Sequence, residues 1–239
     1  MLNLTHRHCL GLRRAIRAYT SAATTPTDPV FVHARSAEFL AGAAAISSIP
    51  KLHGLPEVIV TGRANSGKST LLNAVVGRRD LMLSSKQPGR TKTLNFFRVG
   101  HEPGKLIVVD APGYGARGRP EWGDLFDHYL KTRSELRRVY ILFNAKHGIN
   151  KSDRQMLQEL DAQCQLGIST WTLQAVITKA DSLNAKEMPS RLAELHKNIF
   201  EVAPTCLPPL VTAALKHPRS GIEGLRRSIS EACDLLARR

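Results

Sequence analysis

Gly62-Arg63-Ala64-Asn65-Ser66-Gly67-Lys68-Ser69-Thr70 fits the pattern G-x-x-x-x-G-K-[ST], and every position has a use if the ligand is a polyphosphate. Glycines let the backbone wrap, so that successive N–H groups and the start of the following helix face negative charge. Gly62, Asn65, Ser66, Gly67 and Thr70 are expected in that cradle. Lys68 is expected at the β- and γ-phosphates and the Ser69 hydroxyl on Mg²⁺. The same string also serves as a plain strand-to-helix turn, and alone it does not separate ATP from GTP.

Three further groups bear on that choice. Asp110-Ala111-Pro112-Gly113 follows an Ile-Val-Val run. A carboxylate there can hold Mg²⁺ through water, and the Gly113 N–H can touch a γ-phosphate, although Pro-Gly is also a common turn. Thr178-Lys179-Ala180-Asp181 follows Gln-Ala-Val-Ile. The Asp181 carboxylate can accept from guanine N1–H and the N2 amino group together, a donor pair that adenine lacks, while the Lys179 stem can lie over the purine. Thr212 and Ala213, after the apolar Leu207–Val211, can offer backbone N–H groups to guanine O6. With Pro88-Gly89-Arg90-Thr91 between the first two, five motifs stand in the order a guanine-nucleotide site requires.

Elements of the right type surround them. Glu57–Thr61, Leu106–Val109, Val139–Phe143, Leu173–Ile177 and Leu207–Val211 read as buried strands. Residues near 69–76, 121–136, 152–166, 185–200 and 220–237 show helical spacing. Alternating β and α segments predict an α/β fold with a mostly parallel central sheet and helices on both faces, and the five ordered motifs placed on it make a P-loop GTPase G domain the expectation. Ligands of such sheets bind at the carboxyl ends of the strands. Leu94–Val99, turning through Gly100–Gly104 into Leu106, predicts a hairpin and hence one antiparallel strand.

The chain has 239 residues with 42% apolar content, enough for one sizeable domain. Lys and Arg number 34 against 20 Asp and Glu, a formal charge of +14. Such an excess suits a polyanionic partner, RNA ahead of anionic membrane. Only 5% aromatic content favours phosphate-backbone contacts over base stacking. Cys9, Cys164, Cys206 and Cys233 are too scattered for a disulfide framework or zinc site. The longest apolar run, Phe39–Ile49, falls short of the roughly 18–20 residues that span a bilayer, so no stable membrane insertion is expected.

Residues 1–27 carry Arg7, Arg13, Arg14 and Arg17 among Leu, Ser and Thr, and no acidic residue. That is the composition of a mitochondrial transit peptide, the alternative being a disordered basic tail. A leader over 1–27, a G domain over 28–239 and a matrix location are expected.

At this point the chain resembles the EngB (YihA/YsxC) group of translation-factor-class GTPases, within the Era/TrmE-like branch. The resemblance covers roughly residues 30 to 236. It rests on Gly62 to Asn73, on Ser85-Lys-Gln-Pro-Gly-Arg-Thr-Lys-Thr-Leu-Asn-Phe-Phe97, on Asp110-Ala-Pro-Gly-Tyr-Gly115, and on Trp122-Gly123, Tyr129-Leu130 and Thr132-Arg133. It implies a GTPase that binds GTP and GDP with Mg²⁺ and serves as a monomeric switch in assembling the large ribosomal subunit. With the leader, that means large-subunit rRNA or a mitoribosomal precursor as partner. The alternative is a switch that recruits a protein without touching rRNA. Gly89, Arg90 and Thr91 would belong to switch I, with Thr91 joining Ser69 on Mg²⁺. Asn144 stands where the family usually has Asp, and Thr212-Ala213 replaces Ser-Ser or Ser-Ala.

Tyr114 occupies the position where Ras-like proteins carry the glutamine that orients water, so unaided hydrolysis should be slow, below about 10⁻² s⁻¹. Lys68, Asn65 and Thr91 are the remaining candidates for catalysis. Related GTPases with Asn at position 65 use it to hold K⁺ in place of an arginine finger. The other reading is a loop asparagine bonded to its own backbone, and both stand open. Lys86, Arg90, Lys92 and Arg98, with Arg78 and Arg79, would couple γ-phosphate to RNA affinity through switch I. No polymerising surface or lipid helix is visible for a septin-like or membrane GTPase, and no extra domain for a tRNA-modifying one.

Overall fold

The computed structural model describes residues 30–31, 37–82, 93–114, 120–167, 169–215 and 218–236. The expected leader and the stretch containing Lys86, Gly89, Arg90, Thr91 and Lys92 lie outside the described residues. Strands β1 (Glu38–Ala43), β2 (Glu57–Gly62), β3 (Leu94–Val99), β4 (Leu106–Asp110), β5 (Leu136–Asn144), β6 (Thr172–Thr178) and β7 (Leu207–Val211) form one sheet in the order β1-β3-β4-β2-β5-β6-β7. Helices α1 (Lys68–Val75), α2 (Pro120–Thr132), α3 (Lys151–Gln165), α4 (Met188–Val202) and α5 (Ile222–Ala232) cover its faces. β2 pairs in parallel with β4 and β5, and β6 with β5 and β7, whereas β3 opposes both of its neighbours, β1 and β4. The α/β reading and the single reversed strand are therefore borne out.

The inner strands are wholly buried, which is why their sequences run as unbroken apolar stretches. Their side chains still alternate between faces. Ile59, Val109, Ile141 and Ile177 join Leu125, Tyr129, Leu157 and Leu195 of α2, α3 and α4. Val58, Val60, Val108 and Val176 join Leu71, Leu72, Leu225 and Ile229 of α1 and α5. Two polar clamps then set helix positions. Glu57, fully buried at the start of β2, accepts from Arg133 Nε at 2.9 Å and Nη2 at 2.6 Å, and from the Tyr129 hydroxyl. On the other face, buried Arg226 of α5 donates to the carbonyls of Val75 (2.8 Å) and Ala74 (3.1 Å) at the end of α1.

Several boundaries and one element differ from the sequence reading. α2 stops at Thr132 and α5 at Ala232, each short of the helical spacing. β1 falls in the apolar run weighed above for a membrane span. Its Glu-Phe-Leu-Ala-Gly-Ala has little intrinsic strand preference, so pairing with Leu94–Arg98 and the Phe39–Phe97 edge contact at 5.6 Å decide it. Among the described residues no helix is long and apolar enough to cross a membrane.

Candidate functional site

β2 runs straight into the phosphate loop. Ser66 N–H closes a turn on the Arg63 carbonyl at 3.0 Å, and Asn65 lies in the left-handed region at φ 63°. Gly67 follows at φ 95°, a conformation that a side chain would oppose, and begins α1 as its N-cap. No side chain caps that helix and its first turn holds no acidic residue. The leading N–H groups of α1 are thus left facing outward for an anion. The Ser66 hydroxyl is buried without a hydrogen-bond partner among the described residues, a further donor aimed into the loop.

Lys68 and Asp110 meet beside it, Nζ to Oδ1 at 3.0 Å, both largely buried. Burial raises the Asp110 carboxyl above its ordinary value, and the Lys68 charge opposes the rise. The Ser69 hydroxyl and the Asp110 carboxylate suit Mg²⁺, a hard ion that keeps waters and shares phosphate oxygens rather than filling an all-protein cage. No cluster of three or more His, Cys, Asp or Glu side chains occurs among the described residues.

Base-side residues are tied to the phosphate loop. The buried Thr178 hydroxyl donates to the Ser66 carbonyl and approaches the Phe143 carbonyl at 3.2 Å. Lys179, itself left-handed at φ 56°, donates from Nζ to the Asn65 carbonyl at 3.0 Å. Its stem lies against Gly67, where a Cβ would come within 3.3 Å of Lys179 Cε. A cavity of about 300 Å³ opens between these groups, lined by Gly67, Thr70, Thr178, Lys179, Asp181, Thr212 and Ala214 among others. Asp181 reaches it from the short 3-10 turn Ala180–Ser182.

The O6 donors need revision. Thr212 N–H is bonded to the Ile177 carbonyl at 2.8 Å and Ala213 N–H to the Ser220 carbonyl at 2.9 Å. Both groups expected to meet the base are engaged within the protein. Ala214, one residue on, lines the cavity beside Thr212 and is absent from the sequence reading. The visible signal was the second alanine of Thr212-Ala213-Ala214, which a strand-end register cannot rank without knowing that Ser220 folds back.

Tyr114 is buried, and its hydroxyl donates to Asp153 Oδ1 at 3.0 Å rather than serving the cavity. Burial, and after it the Asp153 charge, raises the phenol pKa. Asn144 is buried at the end of β5, where Oδ1 accepts from the N–H groups of Lys146 (2.9 Å) and His147 (3.3 Å). An aspartate could accept the same pair, so the departure from the family pattern preserves the turn. The Asn65 side chain is exposed and makes no hydrogen bond to its own loop among the described residues.

A family model described as a 50S ribosome-binding GTPase matches residues 57–174. The chain is 38% identical over 172 residues to a probable GTP-binding protein EngB of Rhodospirillum rubrum, covering 69% of this chain and 71% of that one. It is 35% identical over 222 residues to the Sinorhizobium fredii protein of the same name, covering 88% and 98%. Among solved structures, Era in complex with MgGDPNP and nucleotides 1506–1542 of 16S ribosomal RNA aligns at TM-score 0.56 and 20% identity, over 74% of this chain and 56% of that one. Toc33 of Arabidopsis thaliana aligns at TM-score 0.56 and 13% identity, over 78% and 87%. At those identities the two structures speak for the fold alone, and this chain spans little more than half the length of Era.

Proposed function

The chain belongs to the EngB family of GTP-binding proteins, and on that premise we propose that this GTPase is a nucleotide-driven switch in assembly of the large mitoribosomal subunit. One observation carries the reading: Gly67 at the uncapped start of α1 and the Asp181 turn line one cavity at one end of the sheet, and Lys68 is the residue next to Gly67. Phosphate and base can therefore be read by a single ligand, as GTP requires.

Most of the chemistry is done by positioning. A polyphosphate draws Lys68 away from Asp110, and the α1 N–H groups follow the phosphate oxygens. Asp181 accepts from the guanine edge, with the Ala214 N–H as the O6 donor. Thr178 and Lys179 keep the two halves in register by bonding the phosphate loop itself. Mg²⁺, when bound, neutralises charge on the phosphates, and Ser69, Asp110 and, outside the described residues, Thr91 would hold it. Tyr114 is engaged with Asp153 and has no amide to orient water, so slow intrinsic hydrolysis follows. Asn65, with its side chain free of its own loop, is the candidate to hold K⁺.

Two features support a ribosomal partner: the net charge of +14 and the family model's description. The basic, acid-free residues 1–27 support the mitochondrial setting. Sedimentation of mitochondrial lysate tests both at once. Comigration with large-subunit precursors, strengthened by a non-hydrolysable GTP analogue, is the expected result. A protein absent from mitochondria, or one indifferent to ribosomal particles, would overturn the proposal. Comigration without salt-sensitive binding to purified rRNA would favour recruitment of a protein instead.

A further inference from the structure

The segment that follows Asp110 is held to the phosphate loop by more than chain continuity. Arg63 and Tyr114 form an isolated parallel β-bridge, joining the loop's first turn to the residue after Gly113. Both partners then send their side chains to one carboxylate. Tyr114 donates its hydroxyl to Asp153 Oδ1 at 3.0 Å, and Arg63 Nη2 lies 3.6 Å from Asp153 Oδ2. Asp153 is almost fully buried and fixed in turn, since Oδ2 accepts from Asn150 N–H at 3.0 Å while its own N–H returns to Asn150 Oδ1 at 2.9 Å. That reciprocal cap begins α3, where the helix dipole favours a carboxylate.

The consequence falls on Gly113, which precedes the bridge. A Cβ added there would stand 3.0 Å from Ala64 N and 3.3 Å from the Gly62 carbonyl, so the two backbones are packed as closely as glycine allows. We propose that Tyr114, held by Asp153 and Arg63, is a positioning residue that sets the Gly113 N–H at the γ-phosphate end of the loop. It thereby raises the affinity for GTP relative to GDP. This rests on the reading of Gly113 as a γ-phosphate contact. Tyrosine in the usual place of a water-orienting glutamine is then no vacancy in the machinery but a strut beneath it.

A purely structural tyrosine would weaken both nucleotides alike, so the test compares them. Fluorescent GDP and a fluorescent non-hydrolysable GTP analogue are titrated into the full-length protein, with a melting curve for each variant. Tyr114→Phe keeps the ring and removes only the donor. It should lower the preference for the analogue over GDP about tenfold, with GDP affinity within about twofold of the original. Arg63→Gln, on a partly exposed side chain, should move the preference the same way by a smaller factor and serves if the first variant folds poorly. Unchanged preference in both variants, or equal loss of both nucleotides, overturns the proposal. Gly113→Ala separates the two layers. If it shifts the preference while Tyr114→Phe does not, only the strut is wrong; if neither shifts it, the γ-phosphate reading falls as well.

Discussion

Lys68 Nζ and Asp110 Oδ1 stand 3.0 Å apart, an ion pair joining the start of α1 to the end of β4. Phosphate and Mg²⁺ compete for its two halves, so the halves should fail differently. Lys68→Ala should cut GDP affinity about 100-fold, as expected for losing a charge-assisted contact in a largely buried site. Asp110→Asn should instead remove the dependence on metal. Adding EDTA would then weaken nucleotide binding by the unaltered protein but scarcely change the variant, a contrast read by fluorescent-GDP titration.

Base selection is expected to reside in one carboxylate. Asp181→Asn replaces an acceptor pair with one acceptor and one donor, which mismatches guanine and suits xanthine. GTP affinity should fall about 100-fold while xanthosine triphosphate gains, measured by competition against labelled GDP. A variant that still prefers GTP would remove Asp181 from the base site.

Asn65 gives a prediction about salts. If its amide holds K⁺ beside the phosphates, turnover in KCl should exceed that in NaCl at equal ionic strength by about tenfold or more. Asn65→Ala should erase the difference. Equal rates in the two salts would exclude K⁺ from the mechanism.

Arg226 links stability to the site. Its guanidinium satisfies the carbonyls of Val75 and Ala74 at the C-terminal end of α1, where a cation also suits the dipole. Arg226→Ala should cost about 2–4 kcal/mol in urea unfolding, because two buried acceptors lose their donor. Arg226→Lys should recover only part of that, since an ammonium lacks the planar fork.

Alkaline unfolding should begin where the unfolded tyrosines ionise. Burial holds the Tyr140 phenol up at about 12 against an ordinary 10.0 and raises Tyr129 well above it. Below pH 10 both states keep the proton and this source of pH dependence is silent. Between pH 10 and about 12 only the unfolded chain releases it, so stability falls as pH rises. Tyr140→Phe should make the decline shallower in that window, as followed by urea midpoints at stepped pH.

The phosphate loop, Asp110 and the Thr178–Asp181 segment were legible before any fold was known. Each is a contiguous string whose spacing follows from what one strand-to-loop turn can present to a ligand. β1 was not legible, because Glu38–Ala43 acquires its strand from partners more than 50 residues away. The engagement of Thr212 and Ala213 was hidden for a related reason, since Ile177 and Ser220 take their N–H groups from outside the motif.

What the sequence by itself determined was the family and the chemistry on offer: candidate groups for cradling a polyphosphate, reading guanine and ligating a metal. Local spacing suffices there, because each motif acts through neighbours along the chain. Tertiary structure alone decided which of those groups are already engaged. Tyr114 meets Asp153 from 39 residues away, Lys179 meets Asn65 from 114, and Arg226 meets Val75 from 151. Such pairings depend on how sheet and helices bring distant segments together, and a hydrogen bond, whose reach is only about 3 Å, exists only once they have.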